Sequence, residues 1–313
     1  MKKLIIYLLC MMLIIPIAVF AANKSEELIV LLDKAPSIDH APLIIAAQQG
    51  YFKEQGLKVK LIESKQQNLA QHLINKQADI GLMNQPLFME QVDQGAPLIR
   101  IGTLIDKPLN CIAVLDDSGI KSLADLKGKN VATNKTNTQL ADIMLNAMLA
   151  TQGISSKDFT LAQPKEQLAQ ALLHHKIDAI SGLRRNFDIP QLEKNGHKIA
   201  VLFPEEHGIP NYSQLIFITH LDNRHNQRFP RFLAAIRKAV IYLDEHPQLA
   251  WQHFIASYPH SNTTMNRQAW FNTIPYFAED PEEFNGEEWQ SFANFMLKSN
   301  LIKKVQPITR YST

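Results

Sequence analysis

Cysteine is nearly absent from this chain of 313 residues, which holds only Cys10 and Cys111. Cys10 lies within an apolar N-terminal run. A chain shortened past that run would keep Cys111 alone and could form no internal disulfide. Such a chain must fold on its core, and about 290 residues is enough for two domains of ordinary size. An excess of one charge is also missing. Removal of Lys2 and Lys3 with the N-terminal run takes the 32 basic residues down by two, matching the 30 acidic ones. No basic stripe marks a nucleic-acid partner. No second apolar run approaches membrane-spanning length, and there are no internal repeats or low-complexity linkers. Gly-x-Ser-x-Gly, a Walker loop and zinc-ligand spacing are all lacking. Ser118-Gly119-Ile120-Lys121 has the Ser-x-x-Lys form, but Gly119 directly after the Ser argues against a helix start facing a cleft. His174 and His175 lack spaced partners and read as a solvated helix end, not a metal pair. No nucleophile–base pair is visible, so binding without catalysis, metal or cofactor is the expectation.

What is present begins with an export signal over Met1–Ala21. Lys2 and Lys3 form the charged start, Leu4–Ala18 the apolar core, and Val19-Phe20-Ala21 a small-residue cleavage site. Pro16 and that site favour cleavage near Ala21 over retention as an anchor. Cys10 lacks the small residues expected before a lipidated cysteine.

The chain is organised around Leu28–Glu63. Leu28–Leu32 is a continuous apolar run of strand length, suited to a strand covered on both faces. Asp33–His40 is a polar turn. An apolar helix is expected from about Pro42 to Glu54, stopped by Gly56, with a strand resuming over Leu57–Ile62. This βαβ unit predicts a parallel sheet, whose ligands bind outside the strand carboxyl ends, where Asp33–His40 lies. Further strands are expected at Ala78–Met83, Leu98–Leu104, Asn110–Leu115, Asn130–Thr133, Lys176–Ser181, Lys198–Phe203 and Leu215–Thr219. Helices are expected near Leu69–Ile74, over Ser122–Leu126 and Gln139–Ala150, and finally over Phe229–Glu245, Pro247–Tyr258 and Gly286–Ser299. Trp251, Trp270 and Trp289 read as packing aromatics.

Four passages carry a family resemblance. They are "HAPLIIAAQQGYFKEQGLKV", "ADIGLMNQP", "SGIKSLADLKGKNV" and "EEHGIPNYSQLIFITH". Together they resemble the thiamine-pyrimidine-precursor branch of the solute-binding proteins of ABC importers. The resemblance covers nearly all of the chain after the signal. It implies a type II periplasmic binding protein: two α/β lobes, a hinge crossed twice, and a ligand cleft between them. Lobe one would comprise 22–115 and 219–313, and lobe two 116–218. It implies a monomer in the periplasm that captures a small molecule and delivers it to an ABC permease.

The resemblance also nominates site residues. Relatives read Asp-Trp-x-Pro-Asn-x-x-His after the first strand. Here Asp33, Pro36 and His40 are kept, while Lys34 and Ser37 replace Trp and Asn. Gln85 follows a buried strand, as a ligand contact or a partner at a helix start. Asn137 and Thr138, in Asn134–Thr138, could bind a ligand or simply cap the next helix. Asp188 stands where relatives carry a ligand-binding glutamate, and Arg184 and Arg185 stand where they carry aromatics. Tyr212 would meet the ligand at the cleft mouth or pack in the hinge.

Two ligand classes remain open at this level. An amino-pyrimidine could donate to Asp188 and stack on Tyr212. An anion, sulfonate-like or phosphorylated, could instead pair with Lys34, Arg184 and Arg185. Eukaryotic pyrimidine synthases share the resemblance, but they carry a cysteine-rich iron-linked motif that two cysteines cannot supply.

Overall fold

The computed structural model describes residues 25–64, 66–134, 141–194 and 196–313. The export signal, Asn137 and Thr138 lie outside the described residues. The strands are β1 (Glu26–Leu32), β2 (Leu57–Glu63), β3 (Ile80–Met83), β4 (Leu98–Ile105), β5 (Asn110–Leu115), β6 (Asn130–Thr133), β7 (Thr160–Leu161), β8 (Ala179–Arg184), β9 (Ile199–Leu202) and β10 (Leu215–His220). The helices are α1 (Ala41–Gln48), α2 (Tyr51–Glu54), α3 (Gln66–Ile74), α4 (Gln85–Asp93), α5 (Ala141–Ala150), α6 (Leu168–Leu173), α7 (Asp188–Glu193), α8 (Arg228–Glu245), α9 (Pro247–Ser257), α10 (Thr264–Thr273) and α11 (Gly286–Lys298).

The strands form two five-stranded sheets, ordered β2-β1-β3-β10-β4 and β7-β6-β8-β5-β9. In each sheet three neighbours run parallel, and the fourth strand is antiparallel to both of its partners. Those antiparallel strands, β10 and β5, are the ones that follow a passage from the other sheet. Residues 106–109 and 203–214 therefore make the two crossings. The division between sheets differs from the expected one. Asn110–Leu115 belongs wholly to the second sheet, so the outward crossing precedes it. Leu215–His220 belongs wholly to the first. The reason is ladder pairing: β5 is apolar and needs partners on both edges, and β8 and β9 supply them.

β1 alternates between two cores, as a strand covered on both faces must. Leu28, Val30 and Leu32 pack with Phe217, Phe232, Trp251 and Trp270, while Leu31 joins Leu69, Met83 and Phe88 on the other face. The helix expected from Pro42 to Glu54 is two helices. Gly50 takes φ 77, a left-handed conformation that ends α1 and lets α2 start at an angle. α10 was not foreseen, because its sequence is mostly polar and buries chiefly Ala269, Trp270 and Thr273. Its start signal is present nonetheless, since Thr263 accepts from the Asn266 N–H at 3.0 Å. All three tryptophans are buried.

One buried cation anchors the last residues. Arg100 donates to Thr103 at 3.1 and 2.9 Å, to Ser312 at 2.9 Å and to the Glu283 carbonyl, beside the rings of Phe284 and Trp289. Burial without a carboxylate lowers its pKa to about 10. Among the described residues no helix is long and apolar enough to cross a membrane.

Gly102 shows how closely the first sheet meets its cover. A Cβ there would lie 2.6 Å from Leu233 Cδ2 and 3.0 Å from the Pro281 carbonyl oxygen. Gly102→Ala should destabilise the protein by about 1–3 kcal/mol in chemical denaturation. An unchanged midpoint would show that this contact is loose.

Candidate functional site

The carboxyl ends of the parallel strands of both sheets converge on one cleft. β1 ends at Leu32 and delivers Asp33 and Lys34, β3 delivers Asn84, β4 ends at Ile105, and β8 ends at Arg184. The antiparallel strands begin at the same place, bringing Asn110 at the start of β5 and Gln214 just before β10. With Asp39, Leu109 and Leu215 these residues wall a chamber of about 190 Å³. A second, smaller pocket of about 40 Å³ adjoins it, sharing Asn84, Asn110 and Gln214. Its other walls are largely apolar, including Met144, Met148, Pro204 and Tyr212. Gln214 also ties the crossings together, since its Oε1 accepts from the Leu109 N–H at 3.0 Å.

The turn after β1 is held by His40, which is fully buried. Its Nδ1 accepts from the Ser37 N–H at 3.2 Å, which leaves the proton on Nε2 to be donated to Asp33 Oδ1 at 2.8 Å. Burial pushes the Asp33 carboxyl up, and the His40 bond with the nearby Lys34 charge outweighs it, holding Asp33 below the ordinary range. Pro36 and Ser37 are half-buried in this turn.

Asp39 is 4 % exposed and receives two cations on one oxygen. Lys34 Nζ donates to its Oδ2 from the same turn. Arg184 Nη1 donates to the same atom at 3.0 Å from the other lobe. Burial raises the Asp39 carboxyl, and the charges of Lys34 and Arg184 more than reverse that, leaving it far below the usual carboxylate range. Among the described residues Asp39 Oδ1 has no hydrogen-bond partner, and Arg184 Nε has only the Asp188 carboxylate at 4.0 Å. The lobes also meet where Asn186 Nδ2 donates to Thr273 Oγ1 at 2.7 Å, joining the segment before α7 to α10.

The nominated residues separate into groups. Lys34 and Arg184 line the chamber, and Tyr212 lines the apolar pocket. Tyr212 also packs against Phe292 at 5.0 Å between centroids, and burial pushes its hydroxyl up to about 12. Gln85 is buried at the start of α4 and accepts from the Ser213 N–H at 2.8 Å, bolting α4 to the return crossing. Asp188 caps its own segment by accepting from the Arg184 backbone N–H at 2.7 Å, and it lines a separate groove of the second lobe. Burial there outweighs the Arg184 donor and raises its carboxyl above the ordinary range. Arg185 is bidentate to Glu205 at 2.6 and 2.9 Å and lies over Phe203, away from the chamber. Sequence reasoning passed over Asp39, Asn84, Asn110 and Gln214. Three of them are polar residues next to the ends of apolar strands, which was the available signal.

Comparison with known proteins agrees with this geometry. The NMT1/THI5-like family model matches residues 37–250, from the turn after β1 into α9. The chain belongs to the NMT1/THI5-like family. A Haemophilus influenzae protein assigned to thiamine biosynthesis is 36% identical over 289 residues, 92% of this chain and 91% of that one. The formylaminopyrimidine-binding protein of Halalkalibacterium halodurans is 23% identical over 283 residues, 87% of this chain and 84% of that one. This NMT1/THI5-like chain is also 24% identical over 270 residues to the 4-amino-5-hydroxymethyl-2-methylpyrimidine phosphate synthase of Aspergillus parasiticus, covering 82% of this chain and 78% of that one. Among solved structures, the periplasmic aliphatic sulphonate-binding protein of Escherichia coli superposes with a TM-score of 0.70 at 17% identity, covering 92% of each chain. The fold is that of the periplasmic binding proteins, with two α/β lobes around the cleft.

Two measurements follow from the site's wiring. Gln85→Ala strands the Ser213 N–H in a buried position and should cost about 1–3 kcal/mol of stability. If it weakens only ligand binding, Gln85 is a ligand contact. A depressed carboxylate contributes stability above its unfolded pKa, near 3.8, and loses it as pH falls through the lower folded value. Asp39→Asn should therefore melt below wild type at neutral pH, and the gap should narrow as pH is lowered past about 4. A gap that is constant with pH would mean that the charge on Asp39 does not contribute.

Proposed function

We propose that this protein is an exported solute-binding protein of an ABC importer, closing its two lobes on a thiamine-pyrimidine precursor or a related small amino-pyrimidine. It acts in the periplasm as a monomer and hands its ligand to a membrane permease. The charge balance of the cleft carries the reading. Its two cations among the described residues, Lys34 and Arg184, are already engaged by Asp39. Asp33 adds a second carboxylate to the wall, and Asp188 lies close behind Arg184. An anionic ligand would enter a site with no net positive charge and would have to displace Asp39. A neutral, donor-rich ring meets acceptors instead. The 190 Å³ chamber suits a single substituted ring in size, and the apolar pocket beside it suits a methyl-sized group. The name of the formylaminopyrimidine-binding relative supports the same class.

Binding is favoured over synthesis, although pyrimidine phosphate synthases are among the relatives. The Cys111 thiol is buried, donates to the Leu183 carbonyl and is pushed up to about 12, so it is no nucleophile near neutrality. Both nitrogens of His40 are used to hold the turn. Closure on a ligand would use the two crossings as a hinge.

The test is a thermal-shift series on the mature protein with hydroxymethyl-pyrimidine, formylaminopyrimidine, thiamine, and phosphorylated and sulfonated small molecules. Ligands that bind only the native state raise the melting temperature, by an amount equivalent to about 2.7 kcal/mol at a hundredfold excess over Kd. A rise with an amino-pyrimidine is expected. A rise only with anions would replace this reading with the anion one.

A further inference from the structure

Asp39 is unlike the other carboxylates near the cleft. Asp33 accepts from His40 on Oδ1 and Asp188 accepts from the Arg184 backbone on Oδ2, and among the described residues neither keeps a buried oxygen without a donor. Asp39 is buried, lines the chamber, and holds both of its cations on one oxygen, Oδ2. Its other oxygen, Oδ1, has no donor among the described residues. A buried acceptor without a donor costs free energy that a ligand N–H can recover. The two cations also fix which oxygen is which, because rotating the carboxylate would break a contact that spans the lobes.

We propose that Asp39 is the residue that selects the ligand, with Oδ1 accepting from the ligand's amino group while Lys34 and Arg184 hold Oδ2. Arg184 is then a positioning residue that makes recognition depend on lobe closure. This inference rests on the amino-pyrimidine reading and names the group that enforces it. It has a chemical consequence. In Asp39→Asn the cations still attract the amide oxygen, so the amide NH2 takes the place of Oδ1. An acceptor facing the ligand becomes a donor. The preferred ligand should change from an amine to a carbonyl.

The experiment is calorimetric titration of wild type, Asp39→Asn and Asp188→Asn with two probes. One is 4-amino-5-hydroxymethyl-2-methylpyrimidine, and the other is the same ring with a 4-oxo group. Wild type should favour the amino compound by about ten- to hundredfold, the scale of one mismatched buried hydrogen bond. Asp39→Asn should reverse the order, and Asp188→Asn should keep it. Each ratio is read within one variant, so partial loss of folded protein cancels. Arg184→Gln should weaken both probes together and narrow the ratio, because Oδ1 is no longer held in place. An Asp39→Asn protein that keeps the amino preference overturns the inference, as does reversal in Asp188→Asn alone. Wild type that binds neither probe overturns the amino-pyrimidine reading and this inference with it.

Discussion

Two antiparallel strands hold this architecture together. β5 and β10 each insert between strands of a sheet that the chain has just entered, and each satisfies a ladder on both edges. A strand with two bonded edges cannot slide without exposing main-chain groups, so both crossings end on fixed points. Everything at the cleft follows from that placement. The parallel strands end there, and the antiparallel ones begin there. One site thus receives side chains from five separate parts of the chain.

The cleft is governed by a second constraint, the cost of burying charge. A carboxylate removed from water must be matched by donors. Asp39 meets that requirement with a lysine from its own turn and an arginine from the opposite lobe. The same pairing cancels the cations that an anionic ligand would need. Lys34 and Arg184 therefore do not make the site cationic. With Asp39 they build an internal ion pair across the cleft. Arg185 shows the same economy, being stacked on Phe203 and clamped by Glu205.

Much of the fold was legible beforehand because it depends on local pattern. The apolar runs at Leu28, Ala78, Leu98 and Leu215 all appear as strands, and the fourfold motif resemblance led to the correct fold. Gly50 and α10 were misread for local reasons: a Gly inside an apolar stretch hides a break, and a polar decamer hides a helix whose burial rests on one tryptophan. The sheet membership of 110–115 was not local. No feature of an apolar hexamer states whether its partners lie before or after it in the chain.

The linear chain was sufficient for the family, for most of the alternation of strands and helices, and for marking the turn Asp33–His40, which lines the cleft. The family follows from the resemblance of its motifs, and the elements follow from residue order and periodicity. Tertiary structure alone decided which charged groups are free. A carboxylate's role depends on what stands within about 3 Å of it, and Asp39 and Arg184, separated by 145 positions, are that close only after two sheets face each other. Asp188 and Arg185 were nominated by position, and folding gives each a neighbour as partner, the Arg184 backbone N–H for Asp188 and Glu205 for Arg185.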